Sequence, residues 1–181
     1  MLIVDPGDQA KQLSEKITES GYTPVAILLT HGHFDHIMAV DALRSEYQIP
    51  VYAGEYEREM LESPEAEMIG LGTLKGNYAA DTYVKDGQVL TLAGFLIKVF
   101  HTPGHTPGGV CYYLPDEQIL MSGDTLFCGS VGRTDFPGGS MSQLVRSVQE
   151  KLFTLPEEVK VYPGHERSTS IAFEKQYNPF F

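Results

Sequence analysis

The segment Thr30-His31-Gly32-His33-Phe34-Asp35-His36 places three of the chain's six histidines and an aspartate within seven residues. Three later apolar runs each lead into another potential ligand: "LIKVF" into "HTPGHTPGG" with His105, "QILMS" into Gly123-Asp124, and "VKVY" into "PGH" with His165. Together these loops offer five imidazoles and two carboxylates. A catalytic zinc takes three protein ligands and a water, so seven donors suit two metal ions that share one carboxylate and one water. In an irregular loop His31 and His33 can face one centre, while Asp35 and His36, where a helix begins, turn toward a neighbouring one.

The loops all follow strand-like runs. In α/β sheets, sites gather at the carboxyl ends of strands, because loops converge there while the strands hold their bases. "LIV" reads as a strand ended by the Asp5-Pro6-Gly7 turn, and "DQAKQLSEKITES" as a helix with Ala10, Leu13 and Ile17 on one face, Asp8 as its cap and Gly21 as its stop. "VAILL" is a buried strand, a helix beyond residue 36 carries Val40, Leu43 and Tyr47, and "PVYAG" is a strand. The charged stretch from Glu55 to Asp81 has little pattern, and its acidic run from Glu55 to Glu67 reads as a solvated helix face. From Tyr83 to Ser122 the pattern is of hairpins: "VLTLAGFLIKVF" turning at Gly94, then "VCYYL", a Pro115-Asp116 turn and "QILMS". Ser140 and Gln143 have capping-box spacing ahead of a helix over about 141–153. "VKVY" is expected as the last strand and Ser168 to Gln176 as a final helix. Gly32, Gly104, Gly108, Gly109, Gly123 and Gly164 let backbone pass close to the ligands.

At 181 residues, with 42% apolar and 20% charged composition, the chain reads as a single α/β domain, 1–181. A net charge of -11 argues against nucleic acid or an anionic membrane as partner and leaves small molecules. The start lacks the pattern of a signal peptide, and no apolar run is long enough to span a membrane. Cys111 and Cys128 have no CxxC spacing, so neither a disulfide framework nor a zinc finger is indicated, and a cytoplasmic location is expected.

Taken together, "THGHFDH", "HTPGHTPG", "SGD", "CGSVGRTDFPGG" and "PGH" resemble, in order and separation, the metallo-β-lactamase superfamily, and most of all its small bacterial glyoxalase II-like (hydroxyacylglutathione hydrolase-like) hydrolases. The similarity runs from Val4 to the terminal "NPFF". It implies an αββα sandwich with the metals at one edge of its two sheets. Carried over residue by residue, it implies that His31, His33 and His105 hold a first divalent ion, that Asp35, His36 and His165 hold a second, and that Asp124 bridges them. Zinc is the expected ion, with iron or manganese as alternatives. Members usually have roughly one or two more strands before the "VDPG" segment. The sandwich is therefore expected to lack its first one or two amino-terminal strands and to pair its open edge in a homodimer. Met38 stands where the family commonly has glycine and is expected to crowd the second ion.

The chemistry the resemblance implies is attack by hydroxide, formed because two divalent ions lower the pKa of a shared water to about 7, with Asp35 and Asp124 as the catalytic carboxylates. A thiolate leaves without a general acid, so small thioesters such as S-lactoylglutathione are the expected substrates. Arg133, in "VGRTDFPGG", is the candidate substrate-binding residue because its guanidinium can clamp a carboxylate; the alternative is a salt bridge to Asp135. A competing reading takes His31, His105 and Asp124 alone as a facial triad on one iron, as "GRTDF" also resembles persulfide dioxygenases. A metal-binding protein without turnover is a third. His101 reads as a hydrogen-bonded structural residue, Cys128 as a small loop residue with a minor ligand or redox role left open, and Tyr52, Tyr162 and Tyr177 fit core packing as well as a pocket.

Overall fold

In the computed structural model, which describes residues 1–62 and 78–181, the chain begins with β1 (Leu2–Val4), α1 (Ala10–Ser20) and β2 (Ala26–Leu28). There follow α2 (Phe34–Ile37), α3 (Val40–Tyr47), β3 (Val51–Gly54), α4 (Arg58–Glu62) and β4 (Thr82–Val84). The second half is mostly strand: β5 (Val89–Leu92), β6 (Phe95–His101), β7 (Val110–Leu114), β8 (Ile119–Gly123), β9 (Leu126–Phe127) and β10 (Ser130–Val131). It closes with α5 (Met141–Glu150), β11 (Lys160–Pro163), β12 (Thr169–Ser170) and α6 (Ile171–Tyr177).

One sheet has the order β1-β2-β3-β4 with every pair parallel. A second, β12-β11-β8-β7-β6-β5, pairs β8 with β11 in parallel and its remaining neighbours antiparallel, and β9 and β10 form a separate antiparallel pair. It follows that β6, β8 and β11 run the same way, and their carboxyl ends share one edge.

Period-two alternation sorts the side chains into three cores. In β2 and the residue after it, Ile27 and Leu29 pack among Ile17, Val40 and Leu43, toward α1 and α3, while Leu28 faces the second sheet. In β7, Val110, Tyr112 and Leu114 meet Leu28 and Val84 between the sheets, whereas Cys111 and Tyr113 pack with Val148 and Ile171 of α5 and α6. Two helix-on-sheet cores around one sheet-on-sheet core make four layers, αββα. Truncating a fully buried leucine such as Leu120 to alanine would cost about 2–5 kcal/mol.

Local signals explain most of the elements. Ser140 caps α5 by accepting the Gln143 N–H at 3.4 Å, and Leu144 and Val148 bury the face that follows. Ala93 and Gly94, both at positive φ, turn β5 into β6. Gly21, at φ 69°, ends α1 and donates its N–H to Thr18.

Three expectations are corrected. Asp8 does not cap α1: its carboxylate takes the N–H of Gln9, and the left-handed Gln9 occupies the cap position. "VKVY" is not the last strand, because the two residues of β12 pair back onto β11. The acidic run is not uniformly solvated, since Glu57 is only 1% exposed; residues 63–67 of that run lie outside the described residues. Among the described residues no helix is long and apolar enough to cross a membrane.

Candidate metal centre

The carboxyl ends of β2, β6, β8 and β11 meet at one edge of the sandwich. Two hydrogen bonds join the sheets there: Val110 N–H to the Thr30 carbonyl at 2.8 Å, and the Tyr112 hydroxyl to the Leu29 carbonyl at 2.9 Å. All seven side chains singled out as ligands come together at this edge, in two sets flanking Asp124.

In the first set, His105 Nε2 lies 2.9 Å from His33 Nδ1 and 3.3 Å from His31 Nε2. Nitrogens bound tetrahedrally at 2.0–2.1 Å to one zinc would sit about 3.4 Å apart, so the spacing is close to that of a shared ion. The far sides of the rings fix their tautomers. Arg133's carbonyl can only accept, so His105 donates to it from Nδ1 at 2.7 Å and keeps a lone pair on Nε2. The Thr30 hydroxyl donates to Asp5 at 2.6 Å and therefore accepts from His31 Nδ1 at 3.1 Å, which leaves a lone pair on His31 Nε2 as well. Protons are disfavoured here. Burial, reinforced by the neighbouring imidazoles, pushes His31 far below an ordinary histidine; burial and then His105 lower His33 to about 4; burial also lowers His105. Lone pairs facing one another in a buried pocket call for a cation.

The second set is more open. His165 Nε2 lies 3.2 Å from Asp35 Oδ2 and 3.3 Å from His36 Nε2, with His165 and Asp35 side chains 48% and 36% exposed. His36 donates from Nδ1 to Asp5 Oδ2 at 3.0 Å, so its Nε2 faces the set. Burial disfavours charge on His36, yet the nearby carboxylates of Asp124 and Asp5 outweigh it and raise the imidazole to about 10.

Asp124 stands between the two. One oxygen is 3.5 Å from both His105 and His165; the other, 3.4 Å from His36 Nε2, is buried with no hydrogen bond among the described residues. Burial opposes its charge, but His36 and the other imidazoles lower its pKa nonetheless. Gly164 leaves the room this oxygen needs, because a Cβ there would overlap it. An orphaned carboxylate oxygen beside inward-facing nitrogens fits bound divalent ions.

Other candidates fall outside the sets. Arg133 is exposed, pairs bidentately with Asp135 at 2.7 Å and stacks over Phe136, whose ring stands edge-on to His33. His101 bonds the Pro107 carbonyl at 2.9 Å, and Cys128 accepts from Arg167 at 3.3 Å. Met38 closes α2 through its N–H to the Phe34 carbonyl. Sequence reasoning misses three polar residues bonded to the ligands or to their chain neighbours. In the sequence Asp5 marks only a turn, although an acidic residue at a strand exit is a usable signal. Thr30, directly before the first histidine, offers no ligand chemistry of its own. Glu57 has no signal that separates it from the acidic residues around it.

A family model described as the metallo-beta-lactamase superfamily matches residues 2–165. The chain is 43% identical over 183 residues to a protein of Bacillus subtilis named "Probable metallo-hydrolase YqgX", covering 99% of this chain and 86% of that one. It is 35% identical over 181 residues to hydroxyacylglutathione hydrolase GloC of Haemophilus influenzae, covering 98% and 85%. Among solved structures, BLEG-1 B3 metallo-beta-lactamase superposes with a TM-score of 0.93 at 44% identity, over 99% of this chain and 87% of that one. TTHA1623 in a di-iron-bound form gives 0.88 at 37%, over 98% and 88%. ETHE1 from Myxococcus xanthus gives 0.80 at 33%, over 98% and 72%.

Proposed function

The chain belongs to the metallo-β-lactamase superfamily, and from that premise we propose that it is a metal-dependent hydrolase of thioesters, with zinc at two positions and S-lactoylglutathione as the model substrate. The observation that carries the reading is the pair of donor sets meeting at Asp124, one of whose oxygens is buried with no hydrogen bond among the described residues. His31, His33 and His105 would hold one ion and Asp35, His36 and His165 the other, with Asp124 between them. Ions held there would supply a water acidic enough to be hydroxide near neutral pH and positive charge for the oxygen of a carbonyl under attack.

The chain's own residues prepare the site. Thr30, Asp5 and the Arg133 carbonyl turn one ring nitrogen of each of His31, His36 and His105 inward. Arg133, 4.0 Å above Phe136, presents a planar cation beside the first set, suited to a carboxylate on the acyl or thiol part of the substrate. A departing thiolate needs no proton, in keeping with a site whose first-set imidazoles resist protonation. The likeness to GloC supports the thioester class, and the free Cys111 and Cys128 suit a reducing cytoplasm.

The resemblance of "GRTDF" to persulfide dioxygenases supports a second reading, the one-iron persulfide dioxygenase. That reading leaves His33, Asp35 and His36 without a role, whereas His33 lies 2.9 Å from His105 and Asp35 and His36 meet His165. The test is to follow S-lactoylglutathione with zinc-loaded protein. Thioester loss that disappears in Asp124→Ala is expected. No thioester loss, with oxygen uptake on glutathione persulfide by iron-loaded protein or with cleavage of a β-lactam instead, would overturn the proposal.

A further inference from the structure

Glu57 follows β3 in a single helical turn and is almost fully buried, next to both loops of the three-histidine set. The Thr106 hydroxyl donates to its Oε1, and Thr106 is the residue after His105. The amides of Gly108 and Gly32 also favour its charged form, while Oε2 has no hydrogen bond among the described residues. Gly32 is the residue between His31 and His33.

The backbones are closely fitted around this carboxylate. A Cβ on Gly108 would overlap the Glu57 amide and the Tyr56 carbonyl, and one on Gly54 would overlap the Gly108 carbonyl. A Cβ on Gly32 would press at 3.1 Å on Met60 and 3.2 Å on Leu61. Residues 54–61 thus form a floor under both loops, and Glu57 is the acidic group within it. A buried carboxylate is costly unless its bonds hold it, so a floor that needed only packing would be better served by an apolar side chain.

We propose that Glu57 is a positioning residue for the three-histidine set, holding the His105 loop through Thr106, so that its loss weakens metal binding at that set. The inference rests on the metal reading above. Glu57 lies beyond Thr106 and acts through it. Leucine at this position would keep the volume and lose the acceptor; glutamine would keep an oxygen for Thr106.

The test is cobalt(II) binding in a His165→Ala background, which leaves the three-histidine set to be measured without the second. Affinity is read by competition with a chromophoric chelator, and geometry by the visible spectrum of the bound cobalt. Adding Glu57→Leu should weaken binding at least about tenfold and shift the bands, while Glu57→Gln should stay within about threefold with an unchanged spectrum. If Glu57→Leu fails to fold, Thr106→Val removes the same hydrogen bond from the other side and should give the same loss. Cobalt affinity and spectrum unchanged in the folded variant would overturn the positioning role. If the His165→Ala protein with Glu57 intact bound no cobalt, the metal reading would fail instead, and this inference with it.

Discussion

The Asp5 carboxylate and the His36 imidazole, 31 positions apart in sequence, are joined by a 3.0 Å contact that turns His36 Nε2 toward Asp124 and His165. Asp5 also takes the amide and the hydroxyl of Thr30, at 2.7 and 2.6 Å, so one side chain at the end of β1 orients ligands in both sets. Replacing Asp5 with asparagine leaves the size unchanged and removes the charge that fixes the tautomer. We expect metal affinity to fall about 10- to 100-fold, the usual effect of losing such an outer partner, read by titration against a chelator. Unchanged affinity would show that His36 is oriented by packing alone.

Gly164 tests the crowding around Asp124. In Gly164→Ala the added methyl meets both the orphaned Asp124 oxygen and the His36 ring. The expected result is a folded protein whose metal content drops, with the loss at the Asp35, His36 and His165 set. Full metal content in this variant would contradict the placement of Asp124 between the sets.

Arg133 is exposed and already paired with Asp135, so its removal should not move the melting temperature. If its guanidinium meets the substrate, Arg133→Ala should raise KM several-fold for a thioester that carries a carboxylate and leave kcat nearly unchanged. A neutral thioester should show no such change. Equal effects on both substrates would mean the residue shapes the loop and does not touch the substrate.

Burial raises the Glu57 carboxyl from 4.5 to about 7. An acid raised on folding binds its proton more tightly in the native chain, so its stabilising contribution is complete below pH 4.5 and is lost as pH rises through about 7. The shift corresponds to on the order of 3 kcal/mol. Melting curves at matched metal content should show wild type losing stability relative to Glu57→Gln between about pH 5 and 7, and the difference should level off above that. A constant offset across the range would contradict the raised value.

The fold was readable where both faces of a strand are buried by alternating residues, as in β2 and β7, and where a turn or cap has distinctive chemistry, as at Gly94 and Ser140. It was not readable at β4, β9, β10 or β12, which are two or three residues long and are held by pairing with neighbours instead of by any pattern of their own. The candidate ligands stood out because imidazoles crowded at loop positions have few other uses. Asp5 and Glu57 did not stand out, because their importance comes from what folds against them: Thr30 and His36 in one case, Thr106 in the other. In a linear sequence, an acid in a turn and an acid in an acidic run look solvated.

Metal content tests the central claim most directly. Elemental analysis of tag-free protein purified without added metal should find about two divalent ions per chain, lost together with thioester hydrolysis in Asp124→Ala. About one iron per chain, with full activity retained when His33 or Asp35 is replaced, would contradict the two-ion account.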